Sequence, residues 1–231
     1  MTTRTAADLQ QLAAEGAATL ADSSAADVLR WAADSGLRLA VAGSMQDTVL
    51  VHLASTILPG VDVIFLDTGY HFAETLQTRD RVAASYRVHL RSITPRQTVA
   101  EQDADYGVAL HERDPDLCCA LRKTQPLDEV LDEYDAWATG LRRVESASRS
   151  NTAVVSFDER RDKIKLAPLA AWTDDAVAAY IQEHQLISNP LLAQGYPSIG
   201  CGPCTRRVAA GADARSGRWS GTDKVECGIH L

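Results

Sequence analysis

Five cysteines with three different spacings are the residues of this chain best suited to chemistry. Cys118 and Cys119 are adjacent, Cys201 and Cys204 bracket a Gly-Pro pair, and Cys227 lies close to the C-terminal end of the sequence. Four thiolates complete the ligand set of one metal centre. The fifth thiol is left over, and a thiol on a terminal segment is better suited to nucleophilic attack than to structural cross-linking.

From spacing alone, the metal that the first four cysteines would hold stays open. Zinc sites commonly use two separated C-x-x-C pairs, whereas one half of this set is an adjacent pair. Neighbouring residues on a helix point about 100° apart, so Cys118 and Cys119 can face one centre only at a helix start or a kink. A 4Fe-4S cluster spreads its ligands more widely than zinc does and accepts this geometry more easily. A site without metal is the third possibility.

The tetrapeptide from Cys201 to Cys204, Cys-Gly-Pro-Cys, also occurs at the active sites of thioredoxins. In those proteins it follows an early strand and opens a long helix. Here it follows the glycine- and proline-containing segment from Gly195 to Gly200, near the C-terminal end of the chain. This position disfavours a dithiol redox role for the pair.

The composition is that of a soluble globular protein. The 231 residues carry a formal charge of −8, and 45% of them are hydrophobic. This acidity disfavours a nucleic-acid or membrane binder, because such proteins rely on basic surface. No apolar run approaches the roughly 18 residues that span a bilayer, and residues 1–5 lack the apolar core of a secretory signal. We therefore expect a cytoplasmic protein whose thiols remain reduced.

Short apolar runs alternate with amphipathic segments, a pattern that predicts an α/β fold with a parallel sheet. Strands are predicted over 37–42, 61–66, 87–90 and 134–140, a hairpin over 154–157 and 163–166, and helices over 5–34, 49–57, 72–85 and 173–184. Irregular structure is predicted from Asn189 onward. We expect one α/β domain over residues 1–205, with an N-terminal helical region at 5–34, and a C-terminal segment over 206–231 that carries Cys227.

Polar and basic residues follow the predicted strands, where parallel sheets bind their ligands. A strand-to-helix turn such as 43–47 can bind an anion through its backbone N–H groups and the helix dipole. Basic side chains near cysteines or turns on an acidic protein suggest a small anionic ligand. The residues concerned are Arg122, Lys123, Arg142, Arg143, Arg206, Arg207, Arg215 and Arg218. Taken singly, each is equally consistent with an ordinary solvated charge.

Together the motifs resemble those of the adenylyl-sulfate (APS) and phosphoadenylyl-sulfate (PAPS) reductase family. The matching segments span most of 38–231, and their order is highly specific: Leu66–Tyr70, Cys118–Lys123, Thr139–Arg143, Gly195–Cys204, Gly217–Trp219 and Glu226–His230. The resemblance implies a Rossmann-like sheet of the adenine nucleotide α-hydrolase-like type. The cysteine pattern resembles the APS-using branch, which implies one 4Fe-4S cluster held by Cys118, Cys119, Cys201 and Cys204. Residues 1–205 would then bind both nucleotide and cluster.

The resemblance also implies a reaction of assimilatory sulfate reduction. Cys227 would attack the sulfate sulfur of APS, releasing AMP and forming an S-sulfocysteine, and thioredoxin or a similar dithiol would then release sulfite. We expect His230 and nearby arginines to favour the Cys227 thiolate. The residues expected to bind the substrate are Ser44, Asp47, Leu66, Gly69, Lys123, Arg142, Arg143, Arg215, Arg218 and His230.

The loop from Gly43 to Thr48 departs from that of the related ATP pyrophosphatases, which carry Ser-Gly-Gly-x-Asp-Ser. It lacks the paired glycines, and this argues against ATP cleavage. The sequence leaves three alternatives: a PAPS reductase, an ATP-dependent tRNA thiolase, and an iron-sulfur redox sensor without turnover. It gives no indication of the oligomeric state.

Overall fold

The structure is a computed structural model that describes residues 4–209 and 211–230. The first residues of the predicted N-terminal region and the last residue of the predicted C-terminal segment lie outside the described residues. A six-stranded sheet lies at its centre in the order β3-β2-β1-β4-β6-β5. All neighbouring pairs are parallel except β5 with β6 at one edge. The predicted parallel sheet and C-terminal hairpin are therefore confirmed. The strands are β1 Leu39–Ala42, β2 Val61–Leu66, β3 Val88–Ile93, β4 Ala136–Thr139, β5 Val155–Asp158 and β6 Lys163–Leu166.

Helices connect the strands and cover both faces of the sheet. The predicted helical region over 5–34 consists of two helices, and each begins at a hydroxyl side chain, Thr5 or Ser24, that caps the exposed N–H groups of the first turn. None of the helices described is long and apolar enough to cross a membrane. The α-helices are α1 Ala6–Leu20, α2 Ala25–Asp34, α3 Val49–Ile57, α4 Ala73–Ser85, α5 Val99–Tyr106, α6 Leu110–Arg113, α7 Pro115–Cys119, α8 Gln125–Leu131 and α9 Asp174–Glu183.

Alternation along the central strands creates two separate cores. Val41 and Val63 point to the larger core, which contains residues of α1, α2 and α3, whereas Ala40, Ile64 and Trp137 point to a smaller core built against α8. Ile229, from the C-terminal segment, packs against the smaller core. The sheet therefore supports the C-terminal segment directly.

The strand order creates a switch point beside β1. This strand pairs with β2 on one side and with β4 on the other. The chain therefore adds β2 and β3 on one side of β1 and the later strands on the other side. The ends of the three strands, at Ala42, Leu66 and Thr139, border a common opening. Crevices of this kind are the usual ligand sites of open parallel sheets.

The adjacent cysteines lie at a change of helix type. Cys118 and Cys119 end α7, and the chain continues into a π-helical turn at Ala120–Thr124 before α8 begins. Such turns distort the regular direction of side chains and often occur at functional sites. The kink that the adjacent pair requires is therefore present.

The loop after β1 is held by a buried asparagine from a distant part of the chain. The Asn189 side chain donates to the carbonyl of Met45 at 3.2 Å and to the Thr75 hydroxyl at 3.0 Å, and it accepts from the amide of Leu191 at 3.1 Å. Met45 has a positive φ of 59°. Because most residues disfavour that conformation, the loop depends on such external support.

We expect Asn189→Ala to destabilise the protein by about 2–4 kcal/mol, because it leaves three buried polar groups without partners. Asn151→Ala is the matched control, since Asn151 is exposed, and it should change stability by less than about 0.5 kcal/mol. Urea unfolding of both variants provides the measurement. Equal effects of the two substitutions would contradict the anchoring role of Asn189.

Candidate active site

A cavity of about 200 Å³ opens at the switch point of the sheet. Its walls come from the ends of β1, β2 and β4, the segment around Gly200, and the C-terminal segment. The structure therefore brings together residues that are far apart in sequence. Of the residues predicted to act on substrate, those that line the cavity are Ser44, Asp47, Leu66, Lys123, Arg215, Arg218, Cys227 and His230.

Three predicted substrate-binding residues lie outside this lining. Gly69 forms a turn with a positive φ of 75°. Arg142 pairs with Asp174 at 2.8 Å, and Arg143 donates to the Thr152 carbonyl at 2.9 Å. Their positions after strands were predicted from sequence, but the direction of their side chains depends on partners from later in the chain.

Arg149 lines the cavity and was missed by the sequence analysis. It lies in a short 3₁₀ turn at Ala147–Arg149, ten residues beyond the end of β4. Arg149 neither follows a strand directly nor lies near a cysteine in the sequence, so no local pattern marks it. The one sequence feature that could have indicated Arg149 is that it follows Arg142 and Arg143 in the loop after β4.

Glu226 fastens the C-terminal segment to two cavity arginines. Its carboxylate accepts from Arg149 at 2.7 and 2.8 Å and from Arg215 at 3.1 Å. Burial alone would raise the pKa of Glu226, but the hydrogen bonds and charge of Arg149, the amide of Cys227 and Arg215 lower it to about 2. The two arginines offset the negative charge of this carboxylate, so its repulsion of the neighbouring Cys227 thiolate is reduced.

Cys227 is buried, with 6% of its surface exposed, and packs against Cys119 and Trp219. A hydrogen bond from Cys119 lowers the pKa of Cys227, burial works in the opposite direction, and Lys123 lowers it further. The amide of Ile229 adds to the same effect. The hydrogen bond from Cys119 requires a protonated Cys119 thiol, whereas the effects of Lys123 and of the Ile229 amide do not. Lys123 and this amide therefore favour the Cys227 thiolate in either case.

His230 does not supply the positive charge that was expected of it. Burial lowers the pKa of His230 well below its ordinary value, and the charges of Lys165 and Arg149 lower it further. The imidazole is therefore neutral at neutral pH, and its ring stacks over Trp137 with the ring planes 4° apart. Lys123, and not His230, supplies a positive charge that favours the Cys227 thiolate.

Lys123 lines this cavity and also a second, smaller one. The second cavity is bordered by the other four cysteines, Cys118, Cys119, Cys201 and Cys204, which are called the cysteine quartet. Burial works to lower the pKa of Lys123, but negative charge on Cys201 and Cys227 outweighs it, and the pKa is raised. A firmly protonated ammonium at this position can interact with anions on either side.

Arg218 is held in the cavity wall by an aromatic ring and a glycine. Its guanidinium lies 4.5 Å from the centre of the Trp219 ring. It also occupies the space into which a Cβ at Gly200 would project, so a side chain at that position would displace the guanidinium. This close approach explains the glycine directly before the C-x-x-C sequence.

The four remaining cysteines all border a second, much smaller cavity, together with Lys123 and Arg122. None of the four is in a disulfide. Within residues 4–209 and 211–230, no three His, Cys, Asp or Glu side chains converge closely enough for a single metal ion. Four free thiols and two basic side chains therefore border one small cavity.

Comparison with known proteins assigns this arrangement to a family. Residues 36–207 match the family described as "Phosphoadenosine phosphosulfate reductase domain". The chain belongs to this family. It is 58% identical over 228 residues to an adenosine 5′-phosphosulfate reductase of Streptomyces coelicolor, covering 98% of this chain and 97% of the relative. It is 52% identical over 232 residues to an adenosine 5′-phosphosulfate reductase of Mycolicibacterium smegmatis, covering 100% of this chain and 98% of the relative.

Solved structures support the family assignment and the fold. A PAPS reductase of Candida auris, solved as a phosphate complex, is 30% identical with a TM-score of 0.72, covering 90% of this chain and 99% of the other. An FMN adenylyltransferase of Candida glabrata, with FAD and pyrophosphate, has a TM-score of 0.55 at 16% identity, covering 87% of this chain and 74% of the other. The second likeness concerns the fold alone. The expected family and the Rossmann-like nucleotide fold are both confirmed.

We expect Glu226→Gln to lower stability at pH 7 by no more than about 3 kcal/mol, the equivalent of the pKa shift. The folded-state pKa lies below the ordinary 4.5, so the contribution is fully present above pH 4.5 and is lost as the pH falls towards 2. The difference from wild type should therefore shrink between pH 5 and pH 3. Urea unfolding followed by tryptophan fluorescence measures it.

Glu159→Gln is the control for this experiment. Glu159 is exposed, and it should show a difference below about 0.5 kcal/mol at every pH. A Glu226→Gln variant as stable as wild type at pH 7 would contradict the ion-pair role of Glu226.

Proposed function

We propose that this protein reduces adenosine 5′-phosphosulfate to sulfite and AMP, with Cys227 as the nucleophile and a dithiol protein such as thioredoxin as the reductant. The observation that carries the proposal is the position of Cys227, on the wall of the switch-point cavity beside Lys123. The relatives named adenosine 5′-phosphosulfate reductase, which match over nearly the full length, support APS as substrate.

The nucleotide part of APS would bind over the ends of β1 and β2. Ser44 and Leu66 line the cavity there, and the loop after β1 leads into the N-terminus of α3, where an anionic group can bind. Burial raises the pKa of Asp47, while the amide of Val49 and the charge of Arg142 lower it. A carboxyl group that is less readily ionised repels a bound phosphate less.

The phosphosulfate group would bind to the cations that lack an acidic partner. Arg149 and Arg215 are both paired with Glu226. Lys123 and Arg218 have no carboxylate partner in the part of the chain that the structure describes, and Nε of Arg218 is buried there without a hydrogen bond. A buried cation without a carboxylate partner can pair with a bound anion, which favours binding of the phosphosulfate group.

The reaction would proceed in three displacements at sulfur. The Cys227 thiolate attacks the sulfate sulfur, forming an S–S bond while the S–O bond to the phosphate breaks and AMP leaves. Lys123 and Arg218 stabilise the charge that develops on the departing phosphate. A thiolate of the reductant then attacks Sγ of Cys227, so that sulfite leaves with the bonding electrons and a mixed disulfide with Cys227 forms. The second thiol of the reductant, as its thiolate, attacks the reductant sulfur of this bond, which closes a disulfide in the reductant and releases the Cys227 thiolate.

Cys118, Cys119, Cys201 and Cys204 would hold one 4Fe-4S cluster, because four free thiols surround one cavity beside Lys123. When bound, the cluster supplies a rigid attachment and negative charge next to this lysine. The dithiol supplies both electrons of the reaction, so the chemistry assigned to Cys227 and the cations does not require electron transfer from the cluster.

Incubation with APS and no reductant should add one SO₃ group to the peptide that contains Cys227, detected by intact mass and peptide mapping. Cys227→Ser should abolish this adduct while nucleotide still binds. A parallel incubation with PAPS separates the two substrate classes. Turnover by Cys227→Ser, or adduct formation from PAPS alone, would overturn the proposal.

Anaerobically purified protein should be brown and contain about four irons and four acid-labile sulfides per chain, as one cluster of this type requires. Cys201→Ser should lose most of this iron and the associated visible absorbance. Cys227→Ser is the matched control, because it removes a thiol outside the quartet and should keep the iron. Equal iron loss in both variants would remove the distinction between the quartet and Cys227.

A further inference from the structure

The last residues that the structure describes bind to one face of the β5–β6 hairpin. The carbonyl of Gly228 accepts from Arg160 at 3.4 Å, that of Ile229 from Arg161 at 3.3 Å, and that of His230 from Lys165 at 3.2 Å. Three successive carbonyls are thus bound by three cations of the hairpin. This contact surface, formed by Arg160, Arg161, Lys165 and Trp137, is called the tail dock below.

The dock is preorganised by acidic residues that do not belong to the C-terminal segment. Asp128 accepts from Arg160 at 2.5 Å and from Arg161 at 2.7 Å, and Asp158 accepts from Arg161 at 2.9 Å. Asp158 also accepts from the Trp137 indole at 3.2 Å. The arginines are therefore held by the core of the protein and need no substrate to direct them.

Trp137 forms the floor of the dock. Lys165 pairs with it across the strands β4 and β6, and its ammonium lies 5.2 Å from the centre of the indole ring. Arg161 lies 5.4 Å from the same ring. His230 stacks over the indole, so the tryptophan joins the hairpin cations to the C-terminal segment.

We propose that Lys165, with Arg160, is a positioning residue that holds the C-terminal segment in the cavity and thereby places Cys227 for attack. Lys165 acts through Cys227, since it does not line the substrate cavity itself. Because the contacts are made to backbone carbonyls, they depend on the backbone conformation of the segment and not on its side chains. None of them involves a nucleotide, so the tail dock holds the segment before any nucleotide is bound. The consequence for catalysis rests on the function proposed above, whereas the docking itself does not.

The main test is the rate at which iodoacetamide alkylates Cys227 in the holoenzyme without nucleotide, measured by mass mapping of its peptide. Cys227 is buried when docked, so its alkylation reports opening of the segment. Lys165→Met removes one charged hydrogen bond and should accelerate alkylation roughly tenfold. Lys165→Arg, which keeps a donor, should restore a rate near that of wild type.

Lys163→Met is the matched control. Lys163 lies on the same strand and the same face two residues earlier, and it should leave the alkylation rate unchanged. Arg160→Gln provides a second variant in case Lys165→Met fails to fold, since the Arg160 side chain is 46% exposed, and it should accelerate alkylation as well. Unchanged rates in folded dock variants, or equal acceleration in Lys163→Met, would overturn the proposal.

Single-turnover formation of the Cys227 adduct with saturating APS separates this inference from the proposed function. The Lys165→Met rate should fall below that of wild type, in proportion to the fraction of docked segment, with rescue by Lys165→Arg. If no variant forms an adduct but alkylation changes as expected, the proposed function fails and the dock stands. If adduct formation is normal in Lys165→Met, the positioning role fails and the proposed function stands.

Discussion

The docked position of residues 226–230 is the constraint on which the site depends. Without this segment the switch-point cavity would lack Cys227, the proposed nucleophile. Two sets of contacts hold the segment in place: Glu226 binds the arginines at the cavity wall, and the hairpin cations bind the carbonyls that follow Cys227. The thiol lies between these two attachments, so its position is determined from both sides.

Charge is distributed in the site in a way that the net charge of −8 conceals. Glu226 neutralises two of the cavity arginines and so keeps them buried at an acceptable cost, because a buried ion without a partner is strongly destabilising. Lys123 and Arg218 retain their capacity to pair with an anion. An acidic protein can therefore present a locally cationic cavity. In the proposed reaction the same positive charges would favour the thiolate before the attack and the departing phosphate during it.

The scaffold positions these groups through rigid elements. The ends of β1, β2 and β4 meet because parallel strands place their carboxyl ends at one edge of the sheet. The π-helical turn after Cys119 turns Lys123 towards the cavity while the preceding cysteines face the smaller one. Asn189 and Trp137 perform related tasks, since each connects a functional loop or segment to the core of the protein.

The sequence by itself determined the parallel α/β fold, the family and the irregular C-terminal region, and it predicted a role for Cys227 apart from the other four cysteines. These properties follow from local periodicity and from short motifs, which are readable one segment at a time. The tertiary structure decided that Arg149 lines the cavity while Arg142 and Arg143 point elsewhere, and that His230 is neutral. Side-chain direction and protonation depend on burial and on partners far away in the chain, and no local pattern contains that information.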